Sequence, residues 1–222
     1  MCGTYAFRKS PREVRALLRE GWNPLDIPDD AWQASYKIKP SQAAPVITGE
    51  RSLEIMRWGF LPDWMRDRGH AQINARSETV TTKPMFRAAI RQTRCIVLCD
   101  GFYEPKGQVQ PRPWYFFQQP DSGLMGLAGI YTAGQSDHSS TKGFAILTTT
   151  PSEEVAPIHD RMPVILPFEA WSTWLATNAS MDELAAYYTP SVAPGLETWP
   201  VPDDAKKSAA PDGPNCIRNV SA

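Results

Sequence analysis

Five short apolar segments between positions 95 and 166 constrain the fold more than any other feature of the sequence. Segments of four to eight residues that are rich in β-branched and aromatic side chains and bounded by Gly or Pro are typical of β-strands. Together with LEIMRW (53–58), these segments predict a sheet of several strands. They are CIVL (95–98), PWYFF (113–117), LMGLAGIY (124–131), FAILTT (144–149) and PVIL (163–166).

Helical signals are few and are not interleaved with the strands. A capping box from Ser10 to Glu13 predicts a helix over 11–20. A parallel doubly wound sheet needs a helix between successive strands, so we predict an α+β fold with a mainly antiparallel, barrel-like β-sheet and a few short peripheral helices. Further short helices are predicted at 83–92, after the capping boxes at 150–153 and 180–183, and where Trp171, Trp174 and Leu175 repeat at helical spacing.

The chain has 222 residues, which suffices for one domain with a sizeable core. We expect a single domain over 1–222 with a mostly irregular tail from about residue 190. No apolar run approaches the roughly 20 residues that a membrane-spanning helix needs. The first ten residues also lack the apolar stretch of a signal peptide. These features predict a monomer without membrane association, in the cytoplasm or elsewhere inside the cell.

Cysteine spacing argues against both a disulfide framework and a metal site. Cys95 and Cys99 lie at the ends of a strand-like segment, where residues four apart are about 13 Å from each other. That separation is too large for two ligands of one metal ion. We therefore predict two buried core thiols, no metal and no organic cofactor.

The charge is unevenly divided along the chain. The formal net charge of −1 argues against a protein that coats nucleic acid indiscriminately. Residues 1–112 nevertheless carry 18 Lys and Arg against 12 Asp and Glu, whereas residues 113–222 carry 5 against 12. This asymmetry indicates either an anion-binding face or an ordinary solvated surface.

Cys2 stands directly behind the initiator methionine. Loss of Met1 would leave an α-amine beside a thiol, and such a 1,2-aminothiol reacts readily with aldehydes. The alternative is a small apolar residue that starts a first strand. Position alone does not decide between the two.

Two further residues offer proton transfer. Glu104 follows a strand-like segment and a glycine turn, where partial burial would suit it to donate a proton near neutral pH. The alternative is a surface carboxylate paired with Lys106. His159 lies between a predicted helix end and a strand, and its role depends on neighbours that the local sequence does not place.

Asn74 and Arg76 form a candidate binding pair for hydroxyl and phosphate groups. Arg offers a planar fork of donors, and Asn both donates and accepts hydrogen bonds. The alternative for Arg76 is an ion pair with Glu78.

Five motifs follow one another along the chain. They are MCG (1–3), WGFLPDW (58–64), INARSETV (73–80), CDGFYE (99–104) and IHDRMPVIL (158–166). Each motif alone is weakly specific, but together they resemble the SRAP family, the SOS response-associated peptidase-like proteins that crosslink to abasic sites in single-stranded DNA. The resemblance implies that the partner is single-stranded DNA containing abasic sites. It also implies that the protein is associated with the nucleoid when it acts.

The resemblance also implies a covalent mechanism at Cys2. After loss of Met1, the α-amine attacks the ring-opened aldehyde of an abasic sugar, and the sulfur then closes a thiazolidine. An α-amine pKa of about 7.7 to 8.0 leaves a reactive neutral fraction at physiological pH. Similar proteins also release the crosslink or act as β-eliminating lyases, and the family name refers to an autopeptidase that exposes the cysteine.

The family pattern assigns roles to the other polar residues. Glu104 transfers the proton needed to expel water, and Asn74 orients the amine or the opened sugar. His159 assists at the sugar and the neighbouring phosphate. Arg76 holds phosphate, and Arg161 is a second expected DNA contact.

The sequence departs from the family near its expected DNA contacts. Thr4 replaces the usual Arg after MCG, and Pro105 replaces the usual Trp after Glu104. We expect Lys37 and Lys39 to supply the phosphate contact of the missing Arg. We expect Trp64 to stack on a base beside the lesion. The alternative is ordinary packing under its loop, which is the better interpretation for Trp58.

Two rival functions stay open from the sequence. One is a cysteine peptidase that uses Cys2 with His159 and Glu104 on peptide substrates. The other is a noncovalent sensor of DNA damage that has lost its chemistry through the changes at Thr4 and Pro105.

Overall fold

A computed structural model describes residues 2–18, 27–49, 52–65, 67, 69–107, 112–132, 142–188, 195–203, 205 and 210–221. The strands in this part of the chain are β1 (Tyr5–Phe7), β2 (Ser35–Ile38), β3 (Ala43–Thr48), β4 (Leu53–Trp58), β5 (Asn74–Arg76), β6 (Arg94–Cys99), β7 (Gly101–Pro105), β8 (Trp114–Gln118), β9 (Met125–Tyr131), β10 (Gly143–Thr149), β11 (Met162–Pro163), β12 (Ile165–Leu166) and β13 (Glu197–Val201). The short helices are α1 (Pro11–Leu18), α2 (Ala89–Gln92), α3 (Trp171–Leu175) and α4 (Met181–Ala185).

Five strands close into a barrel in the order β10, β4, β3, β6 and β9, and β9 pairs again with β10. Every residue of β6 is buried, which explains why its sequence after Arg94 is a continuous apolar run, Cys95 to Cys99, rather than an alternating one. Among the described strands, β10 pairs in parallel with β4 and β5, and the other pairings are antiparallel. The predicted α+β fold with a mainly antiparallel, barrel-like sheet is therefore confirmed.

A second, antiparallel sheet has the strand order β13, β8, β7, β1 and β2. One face packs against the barrel, where the ring of Tyr5 lies 5.1 Å from that of Trp58. The other face carries Tyr103 and Phe116, which pack with Cys216 and other residues of the C-terminal segment. Strand β7 is consequently buried on both faces along its whole length.

The segment 163–166 is divided between two strands of the barrel rather than forming one strand. Pro163 pairs with β10, whereas Ile165 pairs with β9. Between them, the N–H of Val164 donates to the carbonyl of Leu147, and its carbonyl accepts from Ala128. The backbone thus crosses from one strand to the next within three residues, which the local apolar pattern does not reveal.

Strand β13 corrects the prediction of an irregular tail. It pairs with β8 from Glu197 to Val201, and Trp199 packs on Phe116 with ring centroids 5.4 Å apart. Pro200 argues against a strand in the local sequence, but an edge strand tolerates a residue without an N–H donor. The tail therefore contributes an edge to the second sheet.

The predicted helices are confirmed in part. α1 is helical over Pro11–Leu18, and the last two predicted positions, 19 and 20, lie outside the described residues. Of the segment 83–92, only Ala89–Gln92 is α-helical, and the box at 150–153 leads into turns. The box at 180–183 is confirmed, because Ser180 and Glu183 cap each other at the start of α4. No helix in the described ranges has the length and apolar character needed to cross a membrane.

We predict that Gly126→Ala destabilises the protein by about 1–3 kcal/mol. A Cβ at Gly126 would lie 2.5 Å from two ring atoms of Trp171 and 2.7 Å from Ile96, so the barrel wall would have to shift. The free energy of unfolding from denaturant titration measures the effect. Gly213→Ala is the matched control, because a Cβ there meets no atom within 4 Å, and equal stabilities of the two variants would contradict the prediction.

Candidate active site

Strand β1 carries Cys2 to the edge of a polar cluster. Tyr5 pairs with Phe102, and continuing this antiparallel register by two residues places Gly3 opposite Glu104. The thiol of Cys2 is fully buried and lies 3.9 Å from the carbonyl oxygen of Thr4. Cys2 and Gly3 therefore lie beside the strand that supplies the candidate acid.

Asn74 contacts Cys2 directly. Its Nδ2 donates to the carbonyl oxygen of Cys2 over 2.8 Å, and its position is set by the parallel pairing of β5 with β10. The indole N–H of Trp58 fixes the preceding residue by donating to the carbonyl of Ile73 over 2.9 Å. Asn74 can thus hold the Cys2 carbonyl and orient the adjoining amine.

Glu104 is fully buried, which excludes the alternative of a surface carboxylate. Its Oε2 lies 3.6 Å from Nε2 of His159. The burial of both faces of β7 explains why the carboxylate is withdrawn from bulk solvent. This separation exceeds a hydrogen bond, and a shift of a few tenths of an ångström would bring the carboxylate and the imidazole within reach of proton transfer.

The protonation state of His159 follows from its neighbours. Its Nδ1 lies 3.0 Å from both the backbone N and the carbonyl oxygen of Arg161, so either ring nitrogen can carry the proton of the neutral form, and Nε2 faces Glu104. Burial lowers the pKa of His159, and the positive charge of the amino terminus lowers it further. Both effects favour the neutral ring at pH 7.

Arg76 is exposed and lies two residues beyond Asn74 in β5, so both side chains point to the same face of the strand. The predicted alternative, an ion pair between Arg76 and Glu78, is not the one observed. Glu78 instead binds the guanidinium of Arg161 through both carboxylate oxygens. Arg161 also donates to the carbonyl of Thr148 over 2.6 Å.

The two tryptophans of the WGFLPDW motif differ in exposure. Trp58 is fully buried in the core, whereas Trp64 is 65% exposed. Trp64 borders a cavity of about 390 Å³ that Phe60 and Met85 also line. An exposed indole is suited to stack on an unpaired base.

Lys37 and Lys39 are placed differently from each other. Lys37 is only 7% exposed, and its ammonium donates to the carbonyl of Ala210 in the C-terminal segment. This contact joins Lys37 to the tail rather than to the Cys2 cluster. Lys39 is half-buried, and its backbone N–H donates to the side chain of Gln42 over 2.6 Å.

The two other departures from the family pattern are both buried. Thr4 donates its hydroxyl to the carbonyl of Gly3 over 2.6 Å, and Pro105 pairs with Trp114. Local sequence did not reveal the link from Glu78 to Arg161, although the two residues lie inside the motifs INARSETV (73–80) and IHDRMPVIL (158–166). Among the residues described, no group of three His, Cys, Asp or Glu side chains is arranged to hold a metal ion.

We predict that the ring of His159 has a pKa below its usual 6.5. Burial opposes the charged form of the ring. A ¹⁵N NMR titration of the histidine rings, assigned with His159→Gln, measures the pKa. His70, which is exposed, serves as the internal reference, and a pKa of His159 equal to or above that of His70 would contradict the prediction.

Comparison with known proteins identifies the fold and the family. The X-ray crystal structure of a protein from Bacteroides thetaiotaomicron has the same fold, with a TM-score of 0.82 at 23% identity over 98% of this chain and 99% of that one. The abasic site processing protein YoaM of Bacillus subtilis (strain 168) is 36% identical over 191 residues, or 79% of this chain and 81% of that protein. The abasic site processing protein YedK of Escherichia coli (strain K12) is 30% identical over 188 residues, or 82% and 83%. A family model described as SOS response associated peptidase (SRAP) matches residues 1–208, and the chain belongs to that family.

Proposed function

We propose that the protein, after loss of Met1, forms a covalent thiazolidine crosslink between Cys2 and abasic sites in single-stranded DNA. The observation that carries the proposal is the hydrogen bond from the side-chain amide of Asn74 to the carbonyl oxygen of Cys2, together with the Glu104–His159 pair. Each of these two contacts joins residues that lie far apart in sequence. The names of the relatives, abasic site processing proteins, support the same function.

The proposed reaction releases one water molecule. The α-amine adds to the aldehyde carbon of the ring-opened sugar, and the resulting carbinolamine loses hydroxide as Glu104 or His159 supplies the proton. The sulfur then adds to the carbon of the imine, and the thiol proton returns to the carboxylate. Ring closure is intramolecular, so its effective concentration is high.

The residues around the cluster take the remaining roles in the proposal. Asn74 orients the amine through the Cys2 carbonyl, and Arg76 binds a phosphate beside the lesion. Trp64 stacks on a neighbouring base. Arg161 and Lys39 are secondary contacts to the strand, and the burial of Lys37 leaves that residue the weakest of the proposed contacts.

The finer activities belong to the same proposal. The imine acidifies the adjacent carbon, so that β-elimination of the 3′ phosphate gives a lyase side reaction when the sulfur does not close the ring. The nucleophilic thiol of Cys2 next to the Met1 peptide bond supports autocatalytic removal of Met1. The product protects a lesion that otherwise breaks the strand.

We predict that the protein forms a band resistant to denaturation with a single-stranded oligonucleotide that carries one abasic site. Cys2→Ala retains an α-amine but lacks the sulfur, so it cannot complete the thiazolidine. Cys216→Ala is the matched control, because Cys216 packs with Tyr103 and Phe116 on the face of the second sheet that points away from the barrel. A denaturing gel with protein shown by mass spectrometry to lack Met1 measures the product, and an equal band from Cys2→Ala would refute the mechanism.

We predict that Glu104→Gln slows crosslinking about 100-fold, the usual lower range for a lost general acid or base. The amide keeps the shape of the side chain but does not exchange a proton with the carbinolamine. Single-turnover gel kinetics from pH 5 to 8 measure the rate, with melting temperature as the check on folding. Glu54→Gln, which removes a carboxylate paired with Lys142, is the control, and an unchanged rate in Glu104→Gln would exclude this role.

A further inference from the structure

Glu78 occupies the guanidinium of Arg161 in the manner of a bound phosphate. Two carboxylate oxygens face two nitrogens of the guanidinium, one of them over 3.0 Å. A phosphate binds Arg through the same fork of parallel hydrogen bonds. The position that a strand would take at Arg161 is therefore filled by an anion of the protein itself.

The exposure of the two side chains orders them from solvent inward. The side chain of Glu78 is 46% exposed, whereas that of Arg161 is 12% exposed. Arg161 is anchored from behind by its bond to the Thr148 carbonyl. An anion that approaches Arg161 from solvent thus meets Glu78 first.

Glu78 also lies within the field of the second expected phosphate contact. Its pKa is lowered by the hydrogen bond from Arg161, and the positive charge of Arg76 contributes in the same direction. Only Ser77 separates residues 76 and 78, and its backbone N–H donates to the carbonyl of Thr148 over 2.9 Å. One carboxylate therefore reduces the positive potential at both arginines.

We propose that Glu78 is a specificity-determining residue, which competes with the DNA backbone for Arg161 and so weakens the noncovalent binding of strands that lack an abasic site. The inference rests on the proposed function, because it assigns Glu78 to the DNA-binding surface of the same site. The partly exposed ion pair is weak enough to be displaced. When DNA displaces Glu78 from Arg161, the Glu78 carboxylate returns to solvent and takes up a counterion. This cost opposes the noncovalent binding of any single-stranded DNA.

Discrimination follows from how each strand is held. An intact strand depends on noncovalent contacts alone, so a weaker arginine contact shortens its residence. A strand with an abasic site becomes bonded to Cys2, and that covalent bond does not depend on Arg161. Glu78 consequently lowers the share of the protein occupied by undamaged DNA.

The first test is the affinity of Glu78→Gln for an intact oligothymidine, measured by fluorescence anisotropy between 50 and 200 mM salt. We expect binding about three- to tenfold tighter than wild type, with a slope of log Kd against log salt steeper by about 0.7, the value for one more phosphate contact on a single strand. Glu169→Gln is the matched control, because it removes an exposed carboxylate of equal charge on the turn Phe168–Ala170. A gain equal to that of Glu169→Gln would overturn the proposal, since net charge alone would explain it.

The second test identifies Arg161 as the group that Glu78 restrains. When Glu78→Gln is added to the Arg161→Gln variant, the affinity for the intact strand should no longer increase. Persistence of the full gain would overturn the proposal. If Glu78→Gln melts early, Glu78→Asp keeps the charge but shortens the reach, and it should show a smaller gain of the same sign.

The third test measures specificity itself. Crosslinking to an abasic oligonucleotide is followed in the presence of excess intact strand, and Glu78→Gln should be inhibited at about three- to tenfold lower competitor concentration than wild type. Equal inhibition would contradict the inference. Absence of any crosslink in the wild type would refute the proposed function instead, while the anisotropy result would still decide the role of Glu78 in strand binding.

Discussion

The buried ion pair between Arg8 and Asp100 fixes the register on which the site depends. Asp100 is 1% exposed and accepts from the Arg8 side chain over 2.7 Å and from the Arg8 backbone over 2.5 Å. Its own N–H donates to the carbonyl of Ala6 over 2.9 Å. A slip of one residue would leave a buried charge without its partner and would turn every side chain of β1 to the opposite face. The pair therefore secures Gly3 opposite Glu104.

The C-terminal segment contributes to the site through the sheet that it covers. Strand β7 bears Phe102 and Glu104 on the barrel side and Tyr103 on the other side, where the tail packs. Without that cover, one face of the strand would meet water, and the carboxylate environment would become more polar. Residues beyond 195 thus help to keep Glu104 withdrawn from bulk solvent.

Local patterns predicted the elements well where a strand is bounded by turns, as for β4, whose limits match the prediction. They failed where the outcome depends on distant residues. Val164 crosses between strands because Leu147 and Ala128 lie on either side of it, and β13 forms because β8 offers an edge. Neither partner is visible within a short window of sequence.

The sequence indicated which residues could form the candidate site, but not the contacts that they make. The motifs indicated Cys2, Asn74, Glu104 and His159, because each interrupts an apolar context with a polar group. They did not show that Arg161 binds Glu78 or that Lys37 turns to the tail, since those contacts cross 83 and 173 positions of the chain. Charge patterns reveal which residues can pair, whereas the fold decides which of them do.

The side chain of Asp212 binds the edge strand β2 of the second sheet. Its carboxylate accepts from the backbone N–H of Tyr36 and from the hydroxyl of Ser35, each over 2.8 Å. Exposed strand edges with vacant donors recruit strands from other molecules and promote aggregation. A single acidic side chain from the tail takes one of those donors and places a negative charge at the edge, so the sheet that holds the reactive terminus is protected on this side from extension by another chain.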